Sequence, residues 1–160
     1  MKAFPELQRE FMLICKQEIM GLNAQESYHV DNKFKRTVAL WDSLIDEEVN
    51  KELRAHLREY IYSTASVTKP REKIIDEMAA IGDDIADSIY VLCGLANAIG
   101  IPLTRIFNAV HSANLDKAPN GILKKRADGK ILKPDGWKAA DIRGIIDESY
   151  DILRYNPSGD

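Results

Sequence analysis

Apolar residues recur at helical spacing through almost the whole chain, and no stretch alternates with the period of two that a half-buried strand requires. This confines the 160 residues to an all-α fold, and a chain of that length buries a sizeable core as one domain. Pro5 suits a first turn and opens a helix to about Met20, with Gly21 as its stop. "LNAQESYHVD", residues 22–31, reads as a connection, and Asp31 or Asn32 caps a long second helix over about 33–63. "STASVTKP" breaks it. A third helix spans about 71–99 and stops at Gly100, and Pro102 opens a fourth that reaches Leu115. "KAADIRGIIDESYDILRY" forms a short last helix before the tail "NPSGD". The expected architecture is an antiparallel bundle of four to five helices, a single domain over 1–160, with one long basic loop at 116–138.

Carboxylates break the pattern. "IGDDIADSIYVL", residues 81–92, has core periodicity, yet it carries Asp83, Asp84 and Asp87. At 100° per residue, Glu77, Asp84 and Asp87 fall within about 80° of one another, on a stripe with Ala80, Val91 and Gly94. In "LWDSLIDEEVNKEL", residues 40–53, Trp41, Leu44, Ile45, Val49 and Leu53 build the apolar face. Glu48 and Glu52 point into it, Glu47 sits at its edge and Asp46 points away. Buried unpaired charges cost several kcal/mol each, in round terms. A solvated helix edge explains one such acid; two helices with the same intrusion favour a shared cation. Hard oxygen ligands from facing helices suit Mg²⁺ or Mn²⁺. Iron fits less well: bundle di-iron sites repeat Glu-x-x-His on two helices. Here Glu52 and His56 are spaced i+4, with no second copy. His29, His56 and His111 read as surface or hydrogen-bonded residues.

The loop supplies the opposite charge. Residues 114–138 carry +4 in a chain of net −3, with Lys117, Lys124, Lys125, Arg126, Lys130, Lys133 and Lys138 among them. Acids bind metal, metal binds phosphate oxygens, and lysines neutralise the remaining charge. The mild overall charge speaks against a general nucleic-acid binder, and no apolar run approaches the ~18 residues of a membrane span. The polar N-terminus does not read as a signal peptide. Cys15 and Cys93 lie in apolar helical patterns, form neither a disulfide framework nor a zinc spacing, and suit a reducing cytoplasm.

Three stretches, "LIDEEVNKEL", "GDDIADSIYVLCGLANAIGIPLTRIFNAVHSANLDK" and "DGKILKPDGW", together resemble the all-α nucleoside triphosphate pyrophosphohydrolases of the MazG-like class. That class includes phosphoribosyl-ATP pyrophosphohydrolase and dimeric dUTPases. The order of motifs is similar to that of small phage and bacterial members. The resemblance implies Glu-x-x-Glu on one helix and Glu-x-x-Asp on the next, holding Mg²⁺. Here the second motif is Asp84-Ile-Ala-Asp87. The first departs, because Asn50 and Lys51 occupy the i+3 positions of Glu47 and Glu48, and Glu52 at i+4 from Glu48 stands in. The implied metal ligands are Glu48, Glu52, Asp84 and Asp87, with Glu47 or Glu48 as general base. Asn114, Lys117, Lys130 and Lys133 are implied to contact nucleotide and phosphates.

The implied activity is cleavage of a (deoxy)nucleoside triphosphate between the α and β phosphates, controlling a nucleotide pool from a homodimer or homotetramer. No motif encodes base or sugar; analogy with phage members puts a deoxynucleotide, and dGTP, first. The alternative is a non-catalytic helical module that binds a nucleotide or a protein, and the departures at Asn50 and Lys51 are its support.

Overall fold

The computed structural model describes residues 2–22, 31–63, 69–122 and 124–155. Its elements are α1 (Phe4–Ile14), α2 (Asp31–Ile45), a π-helical segment (Asp46–Leu53), α3 (Arg54–Ser63), α4 (Arg71–Ala98), α5 (Leu103–Leu115) and α6 (Ile142–Tyr155), with a 3-10 turn at Pro119–Gly121. α2, the π segment and α3 run on without a break, so they form one long helix. The fold is all-α, as the periodicity requires; among the described residues the strand-like feature is an isolated bridge between Lys125 and Ile131. No single helix among them is long and apolar enough to cross a membrane. His29 and most of its connection, residues 64–68 of the expected break, and the tail 156–160 lie outside the described residues. The chain divides into two compact units, Met1–Gly100 and Ile101–Asp160.

In the first unit α4 is the hub, with α1, α2, the π segment and α3 all packed against it. Met12, Trp41, Val91 and Ala98 form the buried core, with Ile19, Leu44, Ile45 and Leu95 against it. Gly94 makes the close approach possible: a methyl there would lie 2.1 and 2.2 Å from Cζ3 and Cη2 of Trp41. A partly buried polar contact joins α1 to α4, where Asn97 Nδ2 donates to Gln8 Oε1 and to the Pro5 carbonyl, both at 2.8 Å.

The first helix is shorter than its periodicity suggests. It stops at Ile14 rather than near Met20, because Lys16 adopts a left-handed conformation (φ 54). The Gln17 N–H then returns to the Met12 carbonyl at 2.8 Å, which closes the helix end. The apolar residues beyond it still reach the core. The Met20 N–H bonds the Ala98 carbonyl at 2.9 Å, and Met20 and Leu22 are buried. Gly100 (φ 76) serves both duties at the end of α4: it takes the left-handed turn and leaves room for Met20–Leu22, whose backbone would lie within 2.9 Å of a Cβ. Cys93 is buried as its pattern requires, whereas Cys15, at the end of α1, is exposed.

In the second unit α5 packs on α6, joined by Arg105 to Glu148 (2.5 Å) and to the Ser149 hydroxyl (2.9 Å). Asp141 caps α6 by accepting the Gly144 N–H at 2.9 Å. The basic segment between these helices is folded: a small hairpin turns at Gly129 (φ 83), with Arg126 N–H bonded to the Lys130 carbonyl and Leu132 N–H to Lys124, both at 2.8 Å.

Candidate active site

The π segment is "DEEVNKEL", the stretch whose acid spacing departs from Glu-x-x-Glu. Its i→i+5 ladder widens the turn to roughly four and a half residues, so neighbours on the surface lie four and five positions apart. Asp46 shows the consequence. It accepts from Asn50 Nδ2 at 3.3 Å and pairs with Lys51 Nζ at 2.8 Å, both on the solvent side. Lys51 and Asn50 hold the Asp46 carboxyl below the usual range. Asn50 and Lys51, which interrupt the motif in sequence, are therefore tied to an outward acid. Glu52, four positions from Glu48, is a neighbour of it on this surface, and its charge acts on the Glu48 carboxyl.

Glu48 feels the acids of both helices. Burial raises its pKa first, and then the like charges of Glu52, Asp87, Glu47 and Asp84 add to the shift. The π segment packs against α4, so carboxylates from both helices act on one side chain. Asp84 is buried (6 % exposed), while Glu47, Glu52, Asp83 and Asp87 are exposed. Among the described residues no three His, Cys, Asp or Glu side chains close into a ligand set. The donor set nevertheless fits a hard divalent cation in kind: every candidate is a carboxylate, and their mutual repulsion is what such a cation relieves.

Two acids have protein partners. Asp84 Oδ2 lies 2.6 Å from His56 Nδ1, and this hydrogen bond and charge raise the His56 pKa above its ordinary value. His56 was legible only as a surface or hydrogen-bonded residue; its partner is 28 positions away. Glu77, which shares the acidic stripe in projection, is instead paired with Lys69 at 2.5 Å, whose ammonium lies 5.1 Å from the centre of the Tyr60 ring. The π segment itself escaped sequence reading. Its signal was the extra residue between Glu48 and Glu52, since a helix absorbs one added residue as a π turn.

The second unit holds a cavity of ≈ 490 Å³, lined by Lys117, Lys124 and Lys133 with Ile122, Leu132 and Asp135 among others. Lys117 Nζ donates to Asn114 Oδ1 at 2.6 Å, so Asn114, Lys117 and Lys133 gather here. Lys130 sits on the hairpin, exposed and outside the lining. Lys124, part of the basic run but assigned no role from sequence, is inside it.

The model of the phosphoribosyl-ATP pyrophosphohydrolase family matches residues 9–114 of the 160, a span that contains both acidic helices and ends at Asn114. No curated protein matches the chain. MazG-like pyrophosphohydrolases, the superfamily that includes this one, are generally dependent on a divalent metal. With its two acidic helices inside the matched span, the chain belongs to the phosphoribosyl-ATP pyrophosphohydrolase family.

Proposed function

We propose that the chain hydrolyses a nucleoside triphosphate between its α and β phosphates, releasing the monophosphate and pyrophosphate, with Mg²⁺ as the metal and Mn²⁺ as a substitute. The observation that carries this reading is the convergence of carboxylates from the π segment and α4 on Glu48, in a chain of a pyrophosphohydrolase family. Glu48, Glu52, Asp84 and Asp87 would hold the metal. When bound, a divalent ion supplies charge neutralisation at phosphate oxygens and a water of lowered pKa. Glu48 has the raised basicity that suits a proton acceptor, and Glu47 beside it is the second candidate. His56 orients Asp84 through the Nδ1 contact. Asn114, Lys117, Lys130 and Lys133 are assigned to the nucleotide and its phosphates on the family resemblance.

Self-association is part of the proposal. Ile74, Met78, Ile85, Ile89 and Leu92 follow one another along α4 at helical spacing and are 37–48 % exposed, a stripe that a second copy would cover in a homodimer or homotetramer. The reaction is placed in the cytoplasm, on a nucleotide pool.

The test is pyrophosphate release from the common NTPs and dNTPs with Mg²⁺, Mn²⁺ or EDTA, dGTP being the first substrate to try. Asp84→Asn and Asp87→Asn should each lower turnover by about a hundredfold or more while the helical circular dichroism persists. Full turnover by both variants refutes the site. Metal-independent release refutes the role of the acids.

A further inference from the structure

Lys117 and Lys133, assigned above to the nucleotide and its phosphates, meet in the second unit around Trp137, a residue given no role so far. Two lysine ammonium groups share one indole: Lys133 Nζ lies 4.2 Å and Lys117 Nζ 5.4 Å from the Trp137 ring centre. Both are within the ~6 Å over which a cation is attracted to the face of an aromatic ring, and tryptophan is the strongest such ring. Like charges drawn to one ring repel each other, and a multiply charged anion between or above them would relieve that repulsion.

Trp137 is itself locked. Its Nε1–H donates to the Ala113 carbonyl at 2.6 Å. That carbonyl is in the last turn of α5, where the Lys117 N–H turns instead to the Asn114 carbonyl at 3.2 Å. The indole thus takes up a helix-end acceptor that the ladder leaves over. On its other side, "KPDGW" is a turn: the Trp137 N–H bonds the Pro134 carbonyl at 3.1 Å, with Gly136 in the left-handed region (φ 77). The turn brings Lys133 over the ring, and the bond to α5 brings the ring under Lys117. Lys117 is held a second time by Asn114 Oδ1. Lys117 and Lys133, with Lys124, line the ≈ 490 Å³ cavity, whose apolar members are Ile122 and Leu132 among others. Trp137 and all the residues that line this cavity lie beyond the span matched by the family model, which ends at residue 114.

We propose that Trp137 is a positioning residue, which pre-arranges Lys117 and Lys133 as a two-ammonium clamp for a polyphosphate chain, with Lys124 as the third cation of the same cavity. The proposal rests on the nucleotide-hydrolysis reading for its physiological ligand, the triphosphate of a nucleotide, but its test does not need turnover.

The probe is inorganic tripolyphosphate, added to the full chain in EDTA. The chain's two tryptophans give two indole N–H resonances. Tripolyphosphate should move that of Trp137 and leave that of Trp41, buried in the first unit, in place; an unmoved Trp137 signal at saturating probe overturns the proposal. By calorimetry, Trp137→Leu should bind tripolyphosphate about tenfold more weakly, and Trp137→Phe, which keeps the ring face, should recover all but about threefold. Equal loss in both variants means that the ring face is not what matters, and parent-like binding by the leucine variant means that the lysines do not need it. Either result overturns the positioning role. With a hydrolysable substrate, Trp137→Leu should raise KM and leave kcat within about twofold. Asp87→Asn should bind tripolyphosphate as the parent does. Failure of hydrolysis with intact tripolyphosphate binding would therefore remove the proposed reaction and leave the clamp, and the reverse would remove the clamp alone.

Discussion

Gly94→Ala tests whether the contact between α2 and α4 sets the spacing of the two acidic helices. A methyl at residue 94 would meet two ring carbons of Trp41 at 2.1 and 2.2 Å, and Gln8 Nε2 at 2.8 Å. The amide end of Gln8 can swing away. The indole cannot, because Trp41 is 4 % exposed and enclosed by the core. Overpacking of this kind costs about 1–3 kcal/mol, and the better helix propensity of alanine returns about 1 kcal/mol. The difference spans about 0–2 kcal/mol; approaches as short as 2.1 Å to an enclosed ring place the loss in the upper half, about 1–2 kcal/mol, a fall in Tm of a few degrees for a chain of this size. The colliding atoms belong to the outer edge of the indole, and Trp41→Phe deletes them. In that background Gly94→Ala should be neutral or stabilising by up to about 1 kcal/mol, which makes the coupling between the two sites about 2 kcal/mol. Urea unfolding followed by far-ultraviolet circular dichroism measures all four corners of the cycle. Turnover should fall in the single glycine variant and recover in the double one, because α2 leads directly into the π segment that carries Glu48. A glycine variant as stable as the parent, or one that loses the same amount in both backgrounds, would falsify the packing argument.

Two further predictions concern charge. Burial and then the neighbouring carboxylates raise the Glu48 pKa, so the folded state binds that proton more tightly than the unfolded chain. Ionised Glu48 therefore costs stability above the ordinary carboxylate range, and the cost disappears as pH falls through the raised value. Glu48→Gln should raise the Tm of metal-free protein at pH 7 in EDTA, make little difference at pH 3, and abolish pyrophosphate release; an unchanged Tm at pH 7 would refute the electrostatic account. The His56 pKa is raised, by its hydrogen bond to Asp84 and then by that residue's charge. The stability this pair contributes is fully present below about pH 6.5, the unfolded value, and is lost as pH rises through the higher folded value. An NMR titration of the His56 ring should place its midpoint above that reference, and Asp84→Asn should return it; a His56 midpoint that ignores the Asp84 substitution would break the pairing.

Local physics explains what was legible in this chain. An apolar residue every third or fourth position marks a helix whatever surrounds it, and so the all-α class and the bounds of α4 and α5 could be read directly. Asp84 stood out for the same reason: a carboxylate inside an apolar repeat is conspicuous without any knowledge of its partner. Acid spacing carried the likeness to a pyrophosphohydrolase family, because metal-binding side chains on one helix must recur at the turn. The early end of α1 was not legible, since Lys16 takes a left-handed conformation that its side chain disfavours and that the return of residues 17–22 to α4 compensates. The π turn at Asp46–Leu53 was half legible: the sequence by itself determined that one residue too many separates Glu48 from Glu52, but not how the helix absorbs it. Only the tertiary structure decided that Asn50 and Lys51 turn outward to Asp46, that His56 meets Asp84, and that Trp137 reaches the end of α5 with two lysines over its ring. Each of these contacts depends on backbone geometry or on packing between distant segments, and periodicity along one strand of sequence carries no information about either.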